Sequence, residues 1–185
     1  MGGVGTQVAL LRVRTLGDPI LRSASAPVAT FDDEFESFIQ DMFDTMDDAP
    51  GVGLAAPQVG RAVRAFVYDA RDEDEPARGA MINPTIVWMS EDTEEMEEGC
   101  LSIPDTYFPV ERARAVRVEA VDLRGAPITA AAEGFLARIF QHEIDHLAGV
   151  LFIDRLAPEL RKEAMRMLRD QDFGMAPPPR PRRAL

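Results

Sequence analysis

The chain has one cysteine and two histidines in 185 residues, and no apolar run approaching the roughly 18 residues that a membrane-spanning helix needs. The single Cys100 excludes an intrachain disulfide. The N-terminus lacks the charged and apolar regions of a secretory signal, so the cytoplasm is the expected compartment and no membrane partner is expected. Positive charge is also scarce: 20 Lys and Arg stand against 32 Asp and Glu, a formal net charge of -12. Such a surface does not suit general or sequence-specific nucleic-acid binding, which requires clustered cations to neutralise phosphate. The shortage is uneven. From 158 to 185 seven basic residues (Arg161, Lys162, Arg166, Arg169, Arg180, Arg182, Arg183) outnumber four acids (Glu159, Glu163, Asp170, Asp172). That end reads either as a solvated tail or as a contact with an anionic assembly.

What is present suits a single globular domain, with 46% hydrophobic content. It is expected over residues 8–172, between a flexible glycine-rich start (1–7) and a disordered Pro/Arg-rich tail (173–185). Gly2 and Thr6 fit an N-myristoylation pattern, but the pattern is weak and is set aside. Residues 8–14 read as extended. Phe31, Phe35, Phe38, Ile39, Met42, Phe43 and Met46 form one helical stripe, with Thr30 as the expected N-cap and Pro50-Gly51 as the stop. Strands are expected at 63–68 and at 81–89, the second interrupted at Asn83-Pro84, with a hairpin pairing 116–121 with 127–131. The acidic run from Glu91 to Glu98 reads as a solvated face. Helices are expected at about 132–147 and at 158–171.

The two histidines lie in the first of those helices, in Gln141-His142-Glu143-Ile144-Asp145-His146. Positions i and i+4 share a helix face. With Leu136 at 0°, His142, Glu143 and His146 fall at roughly 240°, 340° and 280°, on or beside the inward stripe. Buried unpaired polar groups cost on the order of 1–3 kcal/mol each, so they need compensation. Ordinary hydrogen bonds would supply it; so would a bound metal. Cys100 follows Gly99 and an acidic run, where a thiolate is disfavoured unless a cation holds it, so a metal ligand is a better reading than a free nucleophile. Two imidazoles and one thiolate would leave a divalent ion an open position. In Gly51-Val52-Gly53-Leu54-Ala55-Ala56-Pro57-Gln58, small residues admit close backbone approach, and Gln58 can aim an amide into the space; alone, the stretch also reads as a tight loop against a strand.

GVGLAAPQ, EGCLS and QHEIDH, in that order, resemble the three signature motifs of the peptide deformylases, and the similarity runs from about Val8 through Gly17-Asp18-Pro19-Ile20-Leu21 to Asp154. The resemblance implies an α+β fold in which small antiparallel or mixed sheets pack around the motif-bearing helix, followed by a C-terminal helix. It also implies the removal of the N-terminal formyl group from formyl-methionyl nascent polypeptides. By the same resemblance Cys100, His142 and His146 hold one divalent metal, in this family usually Fe²⁺, with Zn²⁺, Ni²⁺ or Co²⁺ as alternatives. Glu143 would move the proton, and Gln58 with the Leu101 N–H would stabilise the oxyanion. Val52, Gly53 and Gly99 would hold the extended peptide. Phe135, Ile139 and His142 match positions lining the methionine pocket. Arg138 departs from an apolar pattern and is expected either at the pocket rim, touching the peptide, or facing solvent. Arg112 matches an arginine that pairs with Glu98. Two other readings remain: a zinc peptidase with a downstream third ligand at Asp154 or Glu159, and an inactive relative that binds the ribosome through the basic end.

Overall fold

A computed structural model describes residues 10–70 and 77–172. The expectations for the flexible start, the Gly2 pattern and the tail from 173 fall outside the described residues. Among the described residues the elements run α1 (Asp33–Asp48), β1 (Gly53–Ala55), β2 (Ala65–Asp69), β3 (Arg78–Met89), β4 (Thr93–Cys100), β5 (Ile103–Ala113), β6 (Ala115–Val121), β7 (Pro127–Glu133), α2 (Gly134–Leu147) and α3 (Pro158–Asp172). One sheet has the order β1-β2-β3-β6-β7, and β4 pairs with β5 in a second. Among the described residues every strand pairing is antiparallel, and a lone parallel bridge joins Ala26 to Val63. This is the expected α+β arrangement around α2.

The apolar stripe of α1 is buried at Phe35, Ile39, Met42 and Met46. Its cap is Asp32, not Thr30: the Asp32 carboxylate accepts the Phe35 N–H at 2.9 Å, and Asp33, Glu34 and Glu36 complement the positive end of the helix dipole. Strand alternation in β2 then divides the interior. Ala65 and Val67 pack towards α1 with Leu54 and Ile82, whereas Phe66 packs with Met81, Val116, Val118, Ile139 and Phe140 on the α2 side. A third cluster joins Leu21, Ile103, Phe108, Val110 and Phe152 to Ala164 of α3.

Four local expectations are corrected. Strand β3 runs through Asn83-Pro84 as a bulge, with Asn83 at φ 53°, because the Asn83 amide clasps the Val28 main chain, accepting its N–H at 2.8 Å and donating to its carbonyl at 2.9 Å. Helix α2 starts at Gly134 rather than 132, since Ala131, Ala132 and Glu133 remain paired to β6. The acidic run is strand β4, with Glu94, Glu95 and Glu97 exposed and Glu98 wholly buried. Residues 10–14 form no strand. Instead the Arg14 N–H donates to the Gln58 carbonyl (2.6 Å) and the Leu16 N–H to the Ser102 carbonyl (2.8 Å), tying this segment to two of the motifs.

Candidate metal centre and active site

Helix α2 is buried at every position from Ala137 to Leu147 except Ile144, so most of its polar side chains must find their partners within the protein or in a bound group. His142 and His146 project from it one turn apart, with ring centroids 5.0 Å apart. Cys100 ends β4, where the antiparallel pairing with β5 brings the hairpin against the helix. The ligand atoms of Cys100, His142 and His146 lie within 4.8 Å of one another, and the Cys100 Sγ is 3.2 Å from His146 Nε2. The three are grouped on the scale of a single ion's coordination shell, whose metal–ligand bonds are about 2.0–2.3 Å.

The surrounding chemistry fits an ion. His142 Nδ1 sits 3.0 Å from a Glu98 oxygen, and its Nε2 has no hydrogen-bond partner. Holding one ring nitrogen on a carboxylate and leaving the other free is how proteins orient an imidazole ligand. Burial, with smaller opposition from Ser102 hydrogen bonds and reinforcement by the Glu143 charge, pushes the Cys100 thiol up to about 12. A cation at the site is what would return it to thiolate. Burial, then the charge of His142, lowers His146 well below its usual value, leaving the neutral, ligating form.

Glu143 is also fully buried, and neither carboxylate oxygen has a hydrogen-bond partner among the described residues. Burial first and the Glu98 charge second raise its pKa well above the ordinary carboxylate range. Gly53 makes room for it: a Cβ there would stand 2.3 Å from Glu143 Oε1. Gln58 is held by its own amide oxygen, which accepts the Ala55 N–H at 2.7 Å. Its Nε2 then points at the Ser102 hydroxyl (3.2 Å) and Cys100 Sγ (3.5 Å). Val52 and Ile139 are buried in one cluster, with Phe135 half-buried against it. Gly99 lies under the Tyr107 ring, which a Cβ would meet at 2.4 Å. Leu101 begins the turn from β4 to β5.

The expected Arg112–Glu98 pair is present and bidentate, at 2.8 and 3.0 Å. Burial would raise the Glu98 pKa, but hydrogen bonds from Arg112 and His142 outweigh it and hold the group well below the carboxylate range. Arg138 is neither at a pocket rim nor in solvent. It is 2% exposed and donates to Glu98, because the helix face it occupies is covered by the β4–β5 hairpin. The peptidase's downstream ligands are engaged elsewhere. Asp154 accepts from Arg22, from Arg161 at 3.1 Å and from the Leu151 N–H at 2.9 Å, and Glu159 pairs at the surface with Lys162 at 2.9 Å. Reasoning on sequence missed Glu98 as the partner of His142, Ser102 as the partner of Gln58, and Asp145, which joins Arg112 to Arg155. Helical spacing puts Arg138 and His142 on one face, the one available signal for that network.

Known proteins give the same picture. The polypeptide deformylase profile matches residues 10–162. A peptide deformylase of Brucella suis is 53% identical over 143 residues, covering 77% of this chain and 82% of its own. The crystal structure of a peptide deformylase from Legionella pneumophila superposes with a TM-score of 0.81 at 44% identity, over 92% of this chain and all of its own. A Met-Ala-Ser-bound peptide deformylase from Acinetobacter baumannii has a TM-score of 0.77 at 37% identity, covering 80% of this chain and 99% of its own. With that profile spanning most of its length, and its Cys-His-His cluster suited to a single metal ion, the chain belongs to the polypeptide deformylase family.

Proposed function

We propose that Cys100, His142 and His146 hold the metal ion of this deformylase, and that Glu143, Gln58 and the Leu101 main chain carry out removal of the formyl group from nascent formyl-peptides. The observation that carries the assignment is the convergence of three ligand atoms within 4.8 Å beside a buried carboxylate with no partner. A divalent ion bound there supplies Lewis acidity, which makes hydroxide accessible near neutral pH. Fe²⁺ is the proposed native ion, with Zn²⁺, Ni²⁺ and Co²⁺ suited to the same donors.

Glu143 is placed to accept a proton from the attacking water and to return it to the departing amine; its raised proton affinity favours the first half of that cycle. Gln58, fixed through its own oxygen, directs N–H donors to where charge develops on the formyl oxygen, and the Leu101 N–H is the second donor. The Met-Ala-Ser ligand of the Acinetobacter structure supports a methionyl peptide as the substrate class. Strand β1 is an edge of its sheet. The Val52 carbonyl faces β2, accepting the Asp69 N–H at 2.8 Å, so by alternation the Gly53 main chain faces the open edge. A peptide strand added there would run towards Gly99 on β4, its methionine side chain directed at Phe135, Ile139 and His142.

The deciding assay compares formyl-Met-Ala-Ser with acetyl-Met-Ala-Ser and with an internal peptide bond, using iron-loaded protein under anaerobic conditions. Release of formate alone is expected; cleavage of the internal bond without deformylation would overturn the assignment. The unit is proposed to be one catalytic domain over 8–172 with a separate tail, acting in the cytoplasm; among the described residues no helix is long and apolar enough to cross a membrane. A ribosome contact through the basic end is supported by Arg161, Lys162, Arg166 and Arg169, all exposed on α3. Because Ala164 of the same helix is buried, Arg166→Glu with Arg169→Glu tests this better than deleting the helix. Weaker ribosome cosedimentation is expected, and unchanged sedimentation would remove the contact.

A further inference from the structure

Arg138 is the largest fully buried side chain among the described residues, and nothing in the reaction requires a guanidinium at its position. A buried cation persists only where its surroundings compensate the lost hydration. Here the compensation comes from the hairpin that carries Cys100. Arg138 Nη1 donates to Glu98 Oε1 at 2.6 Å and to the Val110 carbonyl of β5 at 2.8 Å. Its Nη2 donates to the Glu94 carbonyl of β4 at 2.6 Å. One planar fork thus spans both strands of the hairpin from a single point on α2.

The arrangement ties together the two elements that supply the ligands. His142 and His146 come from α2 and Cys100 from β4, so their relative placement depends on how the helix seats against the hairpin. Arg138 lies one helical turn before His142, and both reach Glu98: Arg138 takes Oε1, while His142 Nδ1 stands 3.0 Å from Oε2. Arg112 grips the same carboxylate from β5, and its remaining nitrogen donates to Asp145 of α2 at 2.6 Å. Arg112 and Asp145 brace the hairpin to the later part of the helix, and Arg138 braces it to the earlier part.

We propose that Arg138 is a positioning residue of the metal centre: by fixing Glu98 and the β4–β5 hairpin against α2, it holds His142 Nε2 in register with Cys100 and His146. This rests on the reading of those three residues as the ligands. It differs in kind from a pocket-rim residue, which would act on the peptide and leave the metal unaffected.

The test uses the full chain with Arg138→Met and Arg138→Lys. Apoprotein thermal unfolding reports folding, Co²⁺ affinity is measured by competition with a chelator, and the Co²⁺ absorption spectrum reports ligand geometry through its thiolate charge-transfer and d–d bands. Loss of an outer partner of a metal ligand typically weakens metal binding about 10–100-fold, and that is the loss expected for Arg138→Met, with shifted d–d bands. Arg138→Lys keeps the charge but not the fork, so its affinity should fall between the methionine variant and the parent. Parental affinity and spectrum in the lysine variant overturn the proposal, even if the methionine variant fails to fold. A raised KM for formyl-Met-Ala-Ser with unaltered Co²⁺ binding also overturns it, in favour of peptide contact. If the parent chain shows no thiolate charge-transfer band, or Cys100→Ser binds Co²⁺ unchanged, it is the ligand assignment that fails, and the two failures are distinguishable.

Discussion

Two glutamates flank His142, both with 0% exposure, and they have opposite chemistry. Glu98 receives hydrogen bonds from two arginines and a histidine. Glu143 has no hydrogen-bond partner for either oxygen. Their proton affinities diverge accordingly, Glu98 held below the carboxylate range and Glu143 raised well above it. Burial alone therefore decides neither role. A carboxylate with every lone pair engaged is fixed in charge and place and can orient a ring; one left unengaged in a buried site can exchange a proton.

The comparison is broken most severely by changing the group proposed to move the proton. Glu143→Gln should lower kcat by about 10²–10⁴-fold, the usual weight of a positioned acid–base group, while metal content measured by elemental analysis stays near one per chain. Parental turnover in that variant would remove Glu143 from the reaction. Next comes the donor opposite it: Gln58→Ala should reduce kcat by about 10²–10³-fold, as for other oxyanion donors, with smaller changes in KM. Glu98→Gln should act on the other side of the contrast. It is expected to loosen the metal by about 10–100-fold and to cost about 3–5 kcal/mol in thermal or denaturant unfolding, since the buried Arg138 loses its counter-ion and Arg112 keeps only Asp145.

The smallest effect is the most direct measure of the contrast, and it is read in the apoprotein. Above the ordinary carboxylate value of 4.5 the unfolded chain ionises Glu143, while the folded site retains the proton. Stability should therefore fall as pH rises from that value towards the raised folded one, and Glu143→Gln should flatten the fall and raise the Tm at neutral pH. Glu98 has the reverse sign: its contribution is present above 4.5 and is lost as pH falls through the depressed folded value. Melting curves of the two glutamine variants between pH 5 and 8 should shift in opposite directions; a shared direction would show that the two groups do not differ as described.

The candidate metal ligands were readable as a group because their chemistry is scarce: two histidines in a helical i, i+4 pair and one cysteine leave few combinations, and the fold brings the three together. Helix α1 was readable because its stripe is local. The β4–β5 hairpin was not, because acids occupy both exposed faces of β4 at Glu94, Glu95 and Glu97, and the alternation that marks a half-buried strand is missing. Glu98 looks like its neighbours in sequence and is told apart only by Arg112, Arg138 and His142, which lie 14, 40 and 44 positions away. Arg138 was misplaced for the same reason. The helical wheel sets its angle, but what covers that angle belongs to another part of the chain.

Gly53 bears on resistance. Any substitution there puts a carbon 2.3 Å from a Glu143 oxygen, so the residue that would alter the wall also displaces the carboxylate proposed to move the proton. An inhibitor drawing its affinity from the Gly53 main chain would meet a surface that mutation cannot reshape while turnover survives. Escape variants selected against such a compound should therefore map to the side chains of the methionine pocket and leave Gly53 unchanged.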